Sequence, residues 1–359
     1  MDKLELKRFY NRVRILYYML AIKALRKKRY PFYTNLVINN VCGMKCSYCF
    51  GNYHSRQPNQ ISLDKFKQLV DLLYSKGTSY ILLQGGEPLI HPHFSEFLRY
   101  LNSKNIINAI VSNGQFPELI KNIPELNYMD NICFSLDGNK DGNDKVRKNS
   151  FDKVIVSIDE VKKYYKVPIR INTTLHKFVL QDIDFLAEFV KKNKLEWGIN
   201  FLFIGTEQAM DGEKLALSKE ETIYAISKIL EYKKKRYPIF TTTKVLKYAL
   251  CWTEYTDKVF LAKSELTNFP KPIECQYGNY EIAIDEDLRL YPCQALQNIF
   301  PAKSIETDGF DNAFEFLLTK PCYSCRVVSM INTSAMINWD FEIILETIFD
   351  TIRNRFIRD

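Results

Sequence analysis

Short apolar, β-rich runs alternate with helical stretches along residues 34–205. The predicted strands are Thr34–Asn39, Ser79–Gln84, Ile107–Ser112, Asn131–Leu136, Ile169–Leu175 and Gly198–Ile204. The predicted helices, in which apolar residues recur at helical spacing, are Leu63–Ser75, Phe94–Ser103, Pro117–Ile123, Asp152–Tyr165 and Leu180–Lys192. This alternation implies a parallel sheet with right-handed crossovers, either an open doubly wound sheet or a partial (β/α) barrel. In both architectures ligands bind at the carboxyl ends of the strands.

The pattern changes towards the carboxyl end of the chain. A helix is predicted over residues 218–236, and Tyr237-Pro238 marks a boundary after it. Residues 239–325 carry short strands, turns and four clustered cysteines, which indicates a small metal-tied domain. The predicted organisation is a basic amphipathic helical arm at 1–30, a core at 31–238, a cysteine-rich domain at 239–330 and a C-terminal helix at 331–359.

Composition narrows the class of protein. Hydrophobic residues make up 46% and charged residues 26% of the 359 residues, which is typical of a soluble globular chain. The longest apolar run, Ile15–Ile22, is shorter than the ~20 residues of a bilayer span, and no signal peptide is recognisable. We therefore expect a cytoplasmic protein with no membrane span.

The net charge of +8 lies entirely at the amino end. Residues 1–30 hold ten Lys or Arg and two Asp or Glu, whereas the rest of the chain holds 40 of each sign. This distribution argues against a protein that binds nucleic acid through a broad basic face. The arm is expected to pack on the core with a solvated basic face, and the alternatives are contact with an acidic leader peptide, an anionic membrane surface or RNA.

The nine cysteines fall into two clusters and two single residues. In a reducing cytoplasm they are expected to stay free or to bind metal. The front cluster is Cys42, Cys46 and Cys49, and the back cluster is Cys275, Cys293, Cys322 and Cys325. Cys133 is expected to face the helices and to be structural.

The front cluster lies in the loop after the first predicted strand, in the sequence Cys42-Gly-Met-Lys-Cys46-Ser-Tyr-Cys49. Three thiolates make an incomplete tetrahedral zinc site, which His54 could complete. The other interpretation is a 4Fe–4S cluster with one iron left open for a further ligand.

This loop and three further segments resemble the radical S-adenosylmethionine (SAM) enzymes. The cysteine spacing, with Tyr48 before the last cysteine, is similar to the family signature. The segments Gly85-Gly86-Glu87-Pro88, Ser112-Asn113-Gly114 and Ser135-Leu136-Asp137-Gly138 end the second, third and fourth predicted strands, as family segments do. The resemblance covers roughly residues 31–205 and implies a partial (β/α)6 barrel of the radical SAM type.

The resemblance implies a set of cofactor-binding residues. Gly85, Gly86 and Glu87 would hold the SAM ammonium, because a carboxylate and turn carbonyls suit that cation and glycines allow close approach. Arg147 and Ser135 would approach the SAM carboxylate, and Asn113 the ribose or methionine part. An ordinary surface arginine and a turn asparagine are the alternatives. The family reaction is reductive cleavage of SAM to a 5′-deoxyadenosyl radical, which takes a hydrogen atom from a substrate.

The back cluster supplies four thiolates, enough for one closed site. A structural zinc and a fully ligated second 4Fe–4S cluster both satisfy this count. Residues 284–293, which lead to Cys293, resemble the hairpin before an auxiliary-cluster cysteine in the SPASM and twitch subfamilies, although a glycine usually stands where this chain has Leu288. We therefore expect an α/β fold in which the barrel is followed by a small twitch-like domain with one auxiliary cluster, then a C-terminal helix.

The sequence gives weaker signals for the residues that would contact the substrate. His176 ends the fifth predicted strand, Glu207 follows the sixth, and Cys251 is a candidate hydrogen-atom donor or a core residue. These three are the catalytic candidates.

The sequence is compatible with three functions. The first is radical modification of a ribosomally made peptide by oxidation or crosslinking. The second is dehydrogenation of a small polyol, sugar or aminoglycoside precursor, and the third is a non-catalytic iron–sulfur or zinc protein that binds nucleic acid. The expected partners are the substrate, a reductant such as flavodoxin or ferredoxin, and a separate leader-peptide-binding protein.

Overall fold

The computed structural model describes residues 3–24, 29–53, 56–202, 212–255, 258–297 and 299–358. Its strands are β1 (Tyr33–Asn39), β2 (Tyr80–Gly85), β3 (Ile107–Ser112), β4 (Asn131–Ser135), β5 (Ile169–Leu175), β6 (Glu196–Phe201), β7 (Phe260–Leu261), β8 (Glu281–Ile284), β9 (Arg289–Tyr291), β10 (Lys303–Ser304) and β11 (Ser324–Cys325). Its α-helices are α1 (Lys3–Ala24), α2 (Leu63–Ser75), α3 (Phe94–Ser103), α4 (Pro117–Ile120), α5 (Lys140–Arg147), α6 (Phe151–Tyr164), α7 (Ile183–Lys192), α8 (Gly212–Leu215), α9 (Lys219–Lys234), α10 (Thr243–Leu250), α11 (Ile305–Asp308), α12 (Phe310–Phe316), α13 (Val328–Ile337) and α14 (Phe341–Arg358).

Strands β1 to β6 pair in parallel in chain order, as the alternating pattern predicts. They belong to a nine-stranded sheet with the order β10-β9-β8-β1-β2-β3-β4-β5-β6. Strand β8 pairs in parallel with the outer edge of β1, and β9 and β10 follow it in antiparallel pairing. The predicted mixed α/β fold is confirmed, and the two units predicted at 31–238 and 239–330 share one sheet. The domain boundaries themselves stay predictions.

Most predicted elements lie where the pattern placed them, but several bounds differ. Helix α4 ends at Ile120 instead of Ile123, and α7 begins at Ile183 instead of Leu180. Strand β6 begins at Glu196 instead of Gly198, and Glu196 stands opposite Arg170 of β5 in the register, where the two side chains pair. The prediction of a single helix over residues 331–359 is wrong. The segment is divided into α13 and α14, because Trp339 between them has a φ of +62°, which an α-helix does not allow.

The main core lies between the outer face of the sheet and the surrounding helices. Helix α2 begins after Ser62, whose side chain accepts a hydrogen bond from the backbone of Lys65. Its buried face includes Phe66, whose ring stacks on that of Phe97 of α3 with centroids 3.8 Å apart. Burial of such apolar surface is the main stabilising contribution to the fold, and it leaves the inner face of the sheet to carry polar groups.

Helix α1 packs at the end of the barrel opposite the candidate site. Arg8 donates to the backbone carbonyls of Met129, Lys166 and Asn127, and all three carbonyls lie in the segments that precede β4 or β5. The arm therefore closes the amino ends of the strands. None of the described helices, α1 included, has the length and apolar character needed to cross a membrane.

Candidate functional site

The loop with the three front cysteines leaves the carboxyl end of β1 and passes directly against the end of β2. A Cβ atom at Gly86 would overlap the carbonyl oxygen of Val41 and lie 2.8 Å from Cβ of Cys42. A residue larger than glycine therefore cannot occupy this position unless the loop moves. The Gly85-Gly86 pair thus brings β2 close to the cysteines.

The three front thiols lie near enough to influence one another. Burial, together with the charges of Glu87, Cys46 and Cys49, raises the pKa of Cys42 to about 12. Three cysteine thiols in one short loop suit a polynuclear iron centre, whose positive charge would stabilise the thiolates. Among the described residues no three His, Cys, Asp or Glu side chains already stand in a metal-binding arrangement, so ligation would require rotation of the thiols.

Glu87 is built into the wall of the site. Its buried carboxylate accepts hydrogen bonds from the backbone of Leu89 at 3.0 Å, the hydroxyl of Ser112 at 2.9 Å and the backbone of Asn113 at 2.7 Å. Burial raises the pKa of Glu87 to about 7, although these three donors favour its ionised form. Asn113, held in this way, donates from Nδ2 to Sγ of Cys42 at 3.5 Å. The predicted contact of Glu87 with the SAM ammonium stays a prediction.

Asp137 joins the cysteine loop to the ends of β4 and β5. Its wholly buried carboxylate accepts hydrogen bonds from the hydroxyl of Tyr48, from Nε of Arg147 at 2.5 Å and from the backbone of Thr174 at 2.8 Å. Arg147 in turn points Nη1 at Sγ of Cys46, 3.9 Å away, and its guanidinium lies 5.3 Å from the centre of the Tyr48 ring. The network places a cation beside a predicted cluster ligand.

Asp137 was not predicted as a site residue, although it lies within the family-like segment that ends β4. The available signal was an acidic residue directly after a strand, ten positions before the basic residue selected as a ligand. Tyr48 was noted only for its aromatic ring. Ser135 lies half-buried at the end of β4, and its predicted role towards SAM stays a prediction.

Of the three catalytic candidates, His176 and Cys251 lie among the described residues. The side chain of His176 is wholly buried, 3.9 Å from Oδ2 of Asp137 and beside the ring of Tyr48, so it lies inside the wall and not at the mouth of the barrel. Burial lowers its pKa. Cys251 is half-buried and packs against the main core, and Glu207 lies outside the described residues, as does His54.

Cys133 lies on the inner face of β4, so the prediction that it faces the helices is wrong. Its neighbours Ile132 and Phe134 belong to the core on the helix side, whereas the Cys133 thiol is close to the charges of Arg170 and Glu196. The reason is the strand period of two residues, which puts Cys133 and Ser135 on one face. Burial raises the pKa of Cys133 to about 11.

The four back cysteines converge although they come from distant parts of the chain. The thiol of Cys325 donates a hydrogen bond to Cys275, which lowers the pKa of Cys275. Burial raises the pKa of Cys293, and the nearby charges of Cys322 and Cys275 raise it further. Nζ of Lys320 donates to the carbonyl oxygen of Cys275 at 3.0 Å and favours thiolates nearby. Four thiols beside one lysine would suit either zinc or a 4Fe–4S cluster in number and kind. As at the front site, no three of these described side chains already stand in a metal-binding arrangement, so ligation would require them to rotate.

The β8–β9 turn is fastened to the segment that follows the front cysteines. The buried carboxylate of Glu286 accepts a hydrogen bond from Nδ2 of Asn40 at 3.0 Å and pairs with Arg56. Asn59 donates to Asp287 at 2.6 Å beside a cavity of about 440 Å³. We call this set of contacts the turn clamp. It connects the predicted twitch-like region to the cysteine loop.

Comparison with known proteins agrees with this geometry. Residues 36–190 match the family model of the Radical SAM superfamily. Fe-coproporphyrin III synthase of Methanosarcina barkeri is 27% identical over 201 residues, which are 54% of this chain and 49% of that protein. Mycofactocin maturase MftC of Mycolicibacterium smegmatis is 28% identical over 152 residues, which are 41% of this chain and 38% of MftC. The chain spans about half the length, or less, of these relatives.

The fold has solved counterparts. Streptococcus suis SuiB bound to its precursor peptide SuiA superposes with a TM-score of 0.62 and 15% identity, over 84% of this chain and 67% of SuiB. Residues 36–190 are therefore a radical SAM domain, and the similar proteins are enzymes. The chain's relatives fit the SPASM and twitch-type subfamily that the cysteine pattern predicts.

Proposed function

We propose that this protein cleaves SAM reductively and uses the 5′-deoxyadenosyl radical to take a hydrogen atom from a ribosomally made peptide. The observation that carries the proposal is the front cysteine loop, which lies against Gly86 and Asn113 at the carboxyl ends of the strands. A 4Fe–4S cluster on Cys42, Cys46 and Cys49 would supply the electron for SAM cleavage.

The chain's own residues give this chemistry a defined setting. Arg147, oriented by Asp137, offers a buried guanidinium that would approach the SAM carboxylate, and Ser135 and Asn113 would contribute neutral polar groups to the same ligand. Glu87 holds the loop between β3 and α4 through the backbone of Asn113. The glycines of β2 let the backbone approach a bound ligand.

The back thiols support an oxidation. After the substrate has lost a hydrogen atom to the radical, it must lose one more electron and one proton to give an oxidised or crosslinked product. A second 4Fe–4S cluster on Cys275, Cys293, Cys322 and Cys325 would accept that electron, whereas zinc has no redox chemistry and could not.

A peptide substrate is supported by two of the similar proteins. MftC is named as a maturase, and SuiB was solved with a precursor peptide. The small-polyol alternative is tested in the same assay.

The test uses the full chain, reconstituted anaerobically with iron and sulfide. We expect about eight irons per chain if both sites hold 4Fe–4S clusters and about four with one zinc if the back site is structural. With dithionite and SAM, the wild type should release 5′-deoxyadenosine, and the Cys42→Ala/Cys46→Ala/Cys49→Ala variant should release none. Cys251→Ala, which removes a thiol outside both clusters, should retain SAM cleavage without substrate. Persistent cleavage in the triple variant would refute the proposal.

The second part of the test identifies the substrate. It compares a short peptide encoded beside the gene with a panel of polyols and aminoglycosides. A mass loss of about two hydrogens on the peptide supports the peptide assignment, and the same loss on a polyol alone overturns it.

A further inference from the structure

Helix α1 directs a stripe of apolar side chains into solvent. Its four residues stand at positions i, i+4, i+7 and i+11 and therefore share one side of the helix over about 16 Å. They are Leu6, Tyr10, Val13 and Tyr17, and each is between 49% and 62% exposed. A surface helix normally directs such a stripe at the core, and an exposed apolar patch on a protein marks an interaction site.

Polar contacts from the other sides of α1 fix this orientation. Besides the three bonds from Arg8 to backbone carbonyls, Nδ2 of Asn11 donates to Oδ1 of Asp130 at 2.9 Å, and Nη2 of Arg14 donates to the carbonyl oxygen of Asn105 at 2.7 Å. Arg8 and Asn11 are buried. Rotation of α1 to bury the stripe would break these bonds, and a buried polar group that loses its partner is costly. The stripe is therefore held outward.

Helix α14 shows the same arrangement. It directs two carboxylates inward, where Glu346 and Asp350 both pair with Nζ of Lys233, and Glu346 also accepts a hydrogen bond from the backbone of Thr243 at 2.8 Å. Its outward side carries four apolar residues at positions i, i+4, i+8 and i+11, each between 47% and 67% exposed: Phe341, Leu345, Phe349 and Ile352. A second apolar stripe thus faces solvent.

Both helices lie at the amino ends of the strands. The α1 partners Asn105 and Asp130 stand just before β3 and β4. Lys233, which holds α14, donates to the carbonyl oxygen of Ile239 at 2.7 Å, and Ile239 forms a bridge with Trp197 near the start of β6. The front cysteines lie at the other end of the strands, about 20 Å away. We call the two stripes together the amino-end face.

The charge of the arm indicates the kind of partner. Residues 1–30, which contain α1, hold ten Lys or Arg and two Asp or Glu, and this excess is the whole net charge of the chain. Apolar side chains beside clustered basic residues match an anionic phospholipid surface, which accommodates apolar groups below its headgroups and attracts cations. Tyr10 and Tyr17 suit the same boundary, because a tyrosine ring is apolar and its hydroxyl is polar.

Other partners fit this face less well. A second copy would bring two strongly basic arms together, and like charges repel. RNA would neutralise the arm but would leave the apolar stripes in water. A leader peptide bound here would lie at the end of the barrel opposite the front cysteines, far from the place where the rest of the peptide would react.

We infer that the amino-end face docks the protein on an anionic phospholipid membrane. Helices α1 and α14 lie on the membrane surface, and the mouth of the barrel faces away from it. Apolar contact provides part of the binding free energy, and attraction between the basic arm and anionic headgroups provides the rest.

The test measures co-sedimentation of the full, anaerobically reconstituted chain with vesicles. The vesicles contain phosphatidylcholine alone or equal parts of phosphatidylcholine and phosphatidylglycerol. We expect at least about tenfold tighter binding to the mixed vesicles, and added salt should weaken this binding. Leu6→Gln/Val13→Gln and Leu345→Gln/Phe349→Gln should each weaken it by about tenfold or more, because each variant removes two apolar side chains from the contact.

The matched control is Val156→Gln/Ile223→Gln, which alters two apolar residues that are exposed elsewhere, on α6 and α9. It should bind the mixed vesicles as the wild type does. All three variants should keep the circular dichroism of the wild type, which shows that they fold. The inference is overturned by equal binding of the wild type to both kinds of vesicle, by no binding, by wild-type binding of either stripe variant, or by an equal effect of all three variants.

Two further measurements address the other partners. Self-association without vesicles, measured by ultracentrifugation and abolished by Leu6→Gln/Val13→Gln, would assign the face to a second copy and overturn the inference. Binding of the peptide encoded beside the gene, if the same variant abolished it, would assign the face to a leader peptide and overturn it too. We expect neither result.

Discussion

Nε of Arg147 lies 2.5 Å from Oδ2 of Asp137, and the pair is almost completely shielded from solvent. The two residues are ten positions apart, one directly after β4 and the other at the end of α5. Because Tyr48 donates to the same carboxylate, the pair also fixes the loop between Cys46 and Cys49. An electrostatic contact in the barrel wall thus determines where the front thiols lie.

Removal of Asp137 should be strongly destabilising. Asp137→Ala leaves the buried Arg147 charge without its carboxylate counter-charge, and we expect a loss of about 3–5 kcal/mol in the free energy of unfolding, measured with urea. The double variant Asp137→Ala/Arg147→Met should recover part of this loss because no buried charge is left. Asp152→Ala breaks the exposed pair with Lys140 and should change stability little. Equal effects of the two alanine variants would contradict the assigned role.

Gly86→Ala should prevent cluster assembly at the front site. The added methyl group would overlap the Val41 carbonyl and displace the cysteine loop. The measurement is iron content and visible absorbance after reconstitution, and we expect loss of the front cluster only. Gly43→Ala is the matched control in the same loop, since its Cβ would make an ordinary contact 3.7 Å from the Phe116 ring. Full iron content in Gly86→Ala would show that the loop does not need this close approach.

At position 288 a glycine variant should be more stable than an alanine variant, which is the reverse of their usual order of stability in regular structure. Leu288 has a φ of +59°, so it takes the left-handed conformation of the glycine usual in this hairpin, while its side chain is buried. Both Leu288→Gly and Leu288→Ala lose the buried side chain, at a cost of about 2–5 kcal/mol. Only glycine relieves the backbone strain, so Leu288→Gly should be more stable than Leu288→Ala by about 1 kcal/mol in guanidinium unfolding. If Leu288→Ala were more stable than Leu288→Gly, backbone strain at this position would be ruled out.

Glu281 should make stability fall as the pH rises. Burial raises its pKa from 4.5 to about 8, and nearby Tyr277 offsets part of the rise. A carboxyl group with a higher pKa in the folded state favours folding at low pH, and this contribution is lost as the pH rises from 4.5 through 8. Relative to Glu281→Gln, the wild type should lose up to about 1.4 kcal/mol per pH unit in this window. The assignment would be contradicted if the difference in unfolding free energy between the wild type and Glu281→Gln stayed constant from pH 5 to pH 8.

Local patterns predicted much of the fold and the cysteine sites. The bounds of α2, α3, β3 and β5 agree with the structure because periodicity and capping residues specify them locally. The division between α13 and α14 was missed because a positive φ at Trp339 has no local signature in a non-glycine residue. Asp137 and Glu286 were missed because their partners, Tyr48 and Arg56, lie 89 and 230 positions away.

Because β8 pairs with β1, the sheet cannot be completed until the ribosome has synthesised the chain beyond residue 284. β1 is the strand from which the cysteine loop departs, yet one of its edges has no partner until residues 281–284 have been synthesised. A product truncated after the first six strands would expose that edge and leave Arg56 without its counter-charge. Such a fragment should self-associate through β1, so premature termination anywhere before the β8–β9 turn would yield aggregates instead of an independent barrel.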